Sequence, residues 1–278
     1  MNHPLHPPQG TAELTPIALT IAGSDSGGGA GIQADLKTFS ALGVYGTSAI
    51  ASLTAQNTQG VQGVLPILPV FVQQQITSVL SDIHVSAIKT GMLATADIIA
   101  AVAETLIAYP QIPLVLDPVM VATSGDRLLV EDAIQTLIEK LLPLATLVTP
   151  NLHEAAVLLG APIATDLRQM QLQGEQILAL GAKAVLMKGG HGEGESATDL
   201  LITVAGAVAF SAPRLATKNT HGTGCTLASA IAAGLAKKYS LSESVQQAKE
   251  YLHQALLNAE KLHIGQGAGP VHHFYKFY

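Results

Sequence analysis

The sequence predicts an α/β fold: a doubly wound, mostly parallel sheet with helices on both faces. Apolar runs of strand length alternate with amphipathic stretches of helix length, the rhythm of successive βαβ units. Several runs are almost unbroken in apolar character, as in strands covered on both faces. Polar residues follow one run after another at the same end, on the edge where open α/β sheets bind ligands.

The expected strands are IALTIAG (17–23), TSAIASLTA (47–55), VSAIKTG (85–91), PLVLDP (113–118), TLVTP (146–150) and AVLMKGG (184–190). Helices are expected near 30–42, 69–81, 95–108, 131–141, 151–159 and 166–180. The rhythm then changes. DLLITVAGAVAFSAP (199–213) reads as a hairpin about Ala205-Gly206, and two helices follow over about 223–237 and 242–262. No repeat, linker or low-complexity block divides the chain, which predicts one domain over 17–278. The first 16 residues, with four prolines and a glycine, read as a flexible tail.

Of 278 residues 48% are hydrophobic and 12% charged, enough apolar material for a large core. A net charge of −6, with the 14 Lys and Arg dispersed, argues against nucleic acid as a partner. No segment approaches the roughly 18 apolar residues of a membrane span, and the first 15 lack the basic-then-apolar pattern of a secretion signal. The single cysteine, Cys225, excludes an internal disulfide framework and fits a reducing, cytoplasmic setting.

Two glycine-rich loops precede helices. GSDSGGGAGIQADLK (23–37) invites a dinucleotide reading, but no G-x-G-x-x-G runs through it, and no Asp or Glu lies between Asp35 and Asp82 to hold a ribose. The phosphate-loop pattern G-x-x-x-x-G-K-[ST] is absent. In HGTGC (221–225) glycines admit a ligand close to the backbone, and the helix start leaves N–H groups unpaired, an anion site. Cys225 lies within it, where the helix terminus is expected to lower a thiol's pKa. The plain alternative is a small buried hydrophobe. His191 and His221 flank glycine turns and read as solvated or capping, since one cysteine and no H-E-x-x-H make a zinc site improbable.

Together these segments resemble the ribokinase superfamily, and more narrowly its hydroxymethylpyrimidine/phosphomethylpyrimidine kinases. The matching stretches are 18–58, IKTGML (88–93), VLDPVMVATSGDRLL (115–129), LVTPNLHEAAVLLG (147–160), VLMKGGH (185–191) and HGTGCTLASAIAAGLA (221–236), in the family's order. Most sugar kinases of the superfamily carry aspartate where Cys225 stands. The resemblance implies a ribokinase-like fold, ATP and Mg²⁺ as cofactors, a homodimer, and Cys225 as the base that deprotonates the substrate alcohol. It also implies an anion hole from the N–H groups of Gly222, Thr223 and Gly224. The substrate implied is 4-amino-5-hydroxymethyl-2-methylpyrimidine, then its monophosphate.

The resemblance assigns the pyrimidine to Gln56, with Gly23, Ala30, Asp35, Met92 and Val119 around it. Gln56 ends a strand, and its amide both donates and accepts, as an aminopyrimidine edge requires. Asp117, at the end of a strand stopped by Pro118, becomes the organiser of Mg²⁺ and phosphates. Asn151 and Glu154 share one helical face, and their hard oxygens suit Mg²⁺ through waters. The same pair also reads as a capping box, and the two roles are compatible. Lys188 is expected on a phosphate, against a snorkelling surface lysine. VATSGDRLL (121–129) reads as a flap that excludes water.

Three rivals stand beside this reading: a pyridoxal kinase or dual-specificity enzyme, a non-catalytic ligand sensor on the same fold, and a nicotinamide-dependent dehydrogenase. Gln56 favours the aminopyrimidine over pyridoxal. The sensor is disfavoured by the presence of GTGC, Asp117 and Asn151/Glu154, the dehydrogenase by the missing acidic residue.

Overall fold

The computed structural model describes residues 15–120, 131–190 and 194–278. The flap expected over 121–129, His191 and residues 1–14 of the expected tail lie outside them. Six strands run parallel: β1 (Ile17–Asp25), β2 (Tyr45–Asn57), β4 (Ala87–Thr90), β5 (Leu114–Leu116), β6 (Leu147–Val148) and β7 (Val185–Met187). β3 (Gly60–Pro66) pairs antiparallel with β2, β8 (Ser196–Thr203) with β7, and β9 (Gly206–Pro213) with β8. They form one sheet in the order β3-β2-β1-β4-β5-β6-β7-β8-β9.

Side chains alternate across the strands, so each sheet face has its own core. Leu19, Ile21 and Leu116 face the core closed by α2 (Pro69–Leu80), α3 (Ala96–Leu106), α4 (Glu131–Thr136), α5 (Leu152–Leu159) and α6 (Leu167–Ala179). Ala18, Val115 and Leu186 face the other, closed by α1 (Gly31–Ala41), α7 (Thr223–Ala236) and α8 (Leu241–Leu257). α7 is rich in alanine, the best helix former, and Ala228, Ala232 and Ala233 are fully buried. Small side chains let α7 lie close to the sheet and carry its first turn to the ligand edge. No helix among the described residues is long and apolar enough to cross a membrane.

The parallel strands, the hairpin and the helices fall where the patterns put them. β3 is the exception: no strand is expected over Gly60–Pro66. Its apolar residues Val64 and Leu65 are exposed, so it lacks the buried face that marks a strand. The helix expected over 131–141 is α4 followed by a wide π turn, Leu137–Leu141, and a tight turn, Leu142–Leu144.

Candidate active site

β1 has β2 on one side and β4 on the other, so the chain order reverses there, the place where such sheets open a ligand crevice. Gly23 and Met92 meet at that point. The Gly23 N–H donates to the Met92 carbonyl at 3.0 Å. A Cβ on Gly23 would stand 2.6 Å from Met92 Cε and 2.8 Å from Ser52 Oγ, so a larger residue would have to displace both side chains.

The first glycine loop is wound around Asp25. Its carboxylate accepts from the N–H groups of Gly27 (2.8 Å), Gly29 (3.0 Å) and Ala30 (2.8 Å), and from His221 Nε2 at 2.8 Å. Burial alone would raise the acid, but His221 and the backbone donors outweigh it and hold its pKa below the ordinary value. His221, expected from sequence to be solvated or capping, is therefore neither. It is buried and ties the second glycine loop to the first. Gly222 (φ 79°) marks the approach of the two loops, since a Cβ there would overlap the Gly29 carbonyl oxygen.

Gln56 is half-buried at the end of β2, where a cavity of about 370 Å³ opens between the β2–β3 turn, His221, Gly267 and Ala268. Its Oε1 lies 3.0 Å from Thr54 Oγ1, whose single hydrogen is shared with the Ser24 carbonyl at 2.9 Å, and its Nε2 lies 3.5 Å from His221 Nε2. His221 Nε2–H is spent on Asp25, so the Gln56 amide retains N–H donors for a ligand. Ala30, half-buried at the start of α1, and Val119, half-buried just after β5, belong to the same sheet edge.

Cys225 is the third residue of α7 and is half-buried. The Gly31 N–H reaches its sulfur. Thr226 N–H donates to the Gly222 carbonyl (2.9 Å), and Thr223 N–H to the Thr220 carbonyl at 3.2 Å. Thr223, expected to offer its amide to an anion, thus holds it in a turn in this state. Gly224, earlier in the same helical turn, retains the unpaired N–H of a helix start. The expected lowering of the thiol pKa is not found. Burial pushes the thiol up to about 11; Lys89 draws it down, and Asp35 and Asp117 push it further up. The physical reason is scale: a helix terminus contributes about 0.3–1 kcal/mol, less than desolvating a thiolate among carboxylates.

Asp117, Lys188 and Glu154 stand together beside Cys225. Lys188 Nζ lies 2.9 Å from Asp117 Oδ1 and 3.7 Å from Glu154 Oε2. Thr149 Oγ1 donates to Asp117 Oδ1 at 2.9 Å. A Cβ on Gly224 would come 3.4 Å from Lys188 Nζ and 3.6 Å from Asp117 Oδ2, so this group faces the second glycine loop directly. Burial opposes charge on Lys188, yet Asp117 and Glu154 outweigh it and raise its pKa. Glu154 goes the other way: burial, against the pull of Lys188, pushes its carboxyl up to about 7. Asn151 caps α5 with Glu154 in a complete capping box, Glu154 N–H to Asn151 Oδ1 at 2.9 Å and Asn151 N–H to Glu154 Oε2 at 2.7 Å.

Asp35 has no exposed surface. Its carboxylate accepts from Thr20 Oγ1 (2.6 Å), Ser229 Oγ (2.6 Å) and Lys89 Nζ (2.9 Å to each oxygen). Both oxygens are committed within the protein, so Asp35 acts on the site through Lys89 and α7 rather than as the direct ligand group expected. Lys89, fully buried as well, is given no role by the sequence beyond its place at the polar edge of the sheet. Burial would lower its pKa, but Asp35, Cys225 and Asp117 raise it and keep it charged. A lysine inside the apolar strand Ala87–Thr90 was the available signal, since a buried charge demands a partner.

A cysteine at the start of a helix, backbone donors and a lysine–carboxylate group, gathered at the switch point of such a sheet, define a ribokinase-like phosphotransferase. Solved structures of that kind superpose on the chain. The ADP complex of Bacillus subtilis pyridoxal kinase gives a TM-score of 0.86 at 39% identity, over 93% of this chain and 97% of that one. Phosphomethylpyrimidine kinase from Clostridium difficile gives 0.77 at 45%, over 86% and 98%. The family model described as phosphomethylpyrimidine kinase matches residues 25–272. Hydroxymethylpyrimidine/phosphomethylpyrimidine kinases of Rhizobium meliloti (56% identity; 95% of this chain, 99% of that one) and Escherichia coli (54%; 94% and 98%) are close relatives. The chain belongs to the phosphomethylpyrimidine kinase family.

Proposed function

We propose that this kinase transfers the γ-phosphoryl group of ATP to the hydroxymethyl oxygen of 4-amino-5-hydroxymethyl-2-methylpyrimidine, and then phosphorylates the monophosphate to the diphosphate, in thiamine biosynthesis. The observation that carries it is the juxtaposition, at the Gly23–Met92 crevice, of the Gln56 amide with the Gly222–Cys225 turn and Lys188. Solved relatives in complex with ADP and with AMP-PCP support ATP as the donor.

Gln56 reads the aminopyrimidine edge, donating to a ring nitrogen and accepting from the amino group. Gly23, Met92, Ala30 and Val119 wall the ring. The alcohol oxygen attacks the γ-phosphorus, the bond to the bridging oxygen of ADP breaks, and the alcohol proton passes to the Cys225 sulfur. Amides of the Gly222–Gly224 turn and the Lys188 ammonium meet charge on the equatorial oxygens, which matters more than covalent help in a loose transition state. Thr223 contributes its amide once it leaves the Thr220 carbonyl. Burial, with the Asp35 and Asp117 charges behind it, holds the thiol protonated at rest, so the sulfur accepts the alcohol proton only after its own has left to solvent.

Mg²⁺ fits this site in one way only. Lys188 already occupies Asp117 Oδ1 and approaches Glu154 Oε2, so Asp117 and Glu154 would hold the ion through waters rather than both directly. Bound there, Mg²⁺ would shield the phosphate charges. We read residues 17–278 as one catalytic unit, cytoplasmic and homodimeric.

The test is ADP release with the pyrimidine alcohol and with pyridoxal in parallel. A preference for pyridoxal beyond tenfold replaces the substrate, a reading favoured by the resemblance to solved pyridoxal kinases. Tight binding without turnover replaces the kinase with a sensor. Cys225→Ala should lower kcat by about 10²-fold or more, and near-normal turnover would remove Cys225 as the base.

A further inference from the structure

The chain after α8 returns to the start of α7. Ala268 N–H donates to the Thr58 carbonyl at 2.9 Å, and the Gly269 carbonyl accepts from His221 N–H at 3.1 Å. His272 N–H donates to the Ala255 carbonyl (3.0 Å), and the His273 carbonyl accepts from Tyr251 Oη (2.8 Å). The His273 side chain, 5% exposed, then places Nε2 2.9 Å from Oγ1 of Thr226, which has no exposed surface. Thr226 immediately follows Cys225.

The direction of this last bond can be deduced. A threonine hydroxyl has one hydrogen. Thr226 gives it to the Gly222 carbonyl at 2.8 Å, an atom that can only accept. Nε2 of His273 must therefore carry the hydrogen and donate to Thr226. The ring is neutral: burial, with Lys37 and His272 adding to it, lowers its pKa to about 3. A chain of donors thus runs from His273 through the Thr226 hydroxyl to the carbonyl of Gly222.

That carbonyl belongs to the peptide whose N–H is that of Thr223, and the plane is rigid. Holding the oxygen fixes the N–H on the opposite side and sets the pitch of the turn through Gly224. The start of the loop is pinned at two adjacent points by one segment, at His221 by Gly269 and at Gly222 by His273 through Thr226. We propose that His273 is a positioning residue for phosphoryl transfer, which acts through Thr226 to hold the first turn of α7 so that the free Gly224 main-chain amide is aimed at the migrating group. The inference rests on the reading of that turn as the phosphoryl site.

Four single variants and one double test it, with kcat, both KM values and the melting temperature measured for each. Thr226→Val keeps the shape and breaks the chain. It should lower kcat by about 10- to 100-fold, the scale of a misplacement of about 1 Å, with each KM within about threefold. Thr226→Ser restores the hydroxyl and should recover most turnover. His273→Leu should match Thr226→Val, and His273→Gln, whose amide N–H can replace Nε2–H, should recover most turnover. The double variant Thr226→Val/His273→Leu should be no slower than the slower single.

Wild-type kcat in Thr226→Val overturns the proposal, as does a loss confined to KM, or losses that multiply in the double variant. If His273→Leu does not fold, the Val and Ser variants of Thr226 decide alone. An active wild type beside an unimpaired Thr226→Val sinks this inference only. A wild type that releases no ADP sinks the site reading and the inference with it.

Discussion

Lys89 and Lys188 each stand 2.9 Å from an aspartate on either side of Cys225's surroundings, yet their settings differ. The Lys89 and Asp35 side chains have no exposure, and Thr20 and Ser229 complete the carboxylate's contacts. Lys188 keeps 13% of its side chain exposed, and it is shared between Asp117 and Glu154. Sealing a pair on all sides converts it into a strut. Leaving one flank open keeps an ammonium available to an incoming phosphate. The same two residue types thus divide into support and tool according to what else surrounds them.

The comparison breaks most decisively at the sealed pair. Removing one partner of a buried ion pair leaves an uncompensated charge, at a cost of about 3–5 kcal/mol. Lys89→Met should lose that much stability in urea denaturation, and adding Asp35→Asn should restore at least half. A loss below about 1 kcal/mol would show that water or a shifted pKa relieves Asp35, and the pair would not be a strut.

Lys188→Met should do the reverse. With one flank open and Glu154 able to take up a proton, its folding stability should fall by less than that of Lys89→Met, though Asp117 stays buried. Its kcat should fall by roughly 10²-fold, since a preorganised donor to the transferring group is lost. Steady-state kinetics and urea titration of the same preparation check both halves. A stability loss equal to that of Lys89→Met, with turnover intact, would assign Lys188 to the scaffold.

The contrast also explains what could be seen from sequence. Near-continuous apolar runs revealed the parallel strands, and the pattern about Ala205-Gly206 revealed the hairpin, because each rests on local periodicity. Asn151 and Glu154 were legible for the same reason, being three residues apart. Asp35–Ser229 and Asp25–His221 join residues separated by 194 and 196 positions. No local rule connects such partners, so Asp35 read as a ligand group and His221 as a solvated turn residue. The thiol of Cys225 failed differently. The helix start was visible, but the opposing burial and the Asp35 and Asp117 charges exist only once the fold assembles them.

Glu154 offers the smallest and sharpest test, because its two roles separate under titration. Its folded pKa of about 7 lies above the ordinary carboxyl value of 4.5. The folded state therefore favours the protonated form: the contribution is fully present below about pH 4.5 and is lost as pH rises through 7. His273 slopes the other way, since a ring held neutral to about pH 3 favours the fold as pH rises toward 6.5. Asp25, with its lowered pKa, titrates below this window. The difference between wild type and Glu154→Gln isolates the carboxyl, because glutamine at the same helical position keeps the capping box. Glu154→Gln should gain about 1–2 kcal/mol on wild type between pH 4.5 and 7.5, less than the full shift because Lys188 shares the titration. A flat difference curve would mean that Lys188 holds Glu154 ionised throughout, so that both lysines would then stand in fully balanced pairs and the distinction between strut and tool would rest on exposure alone.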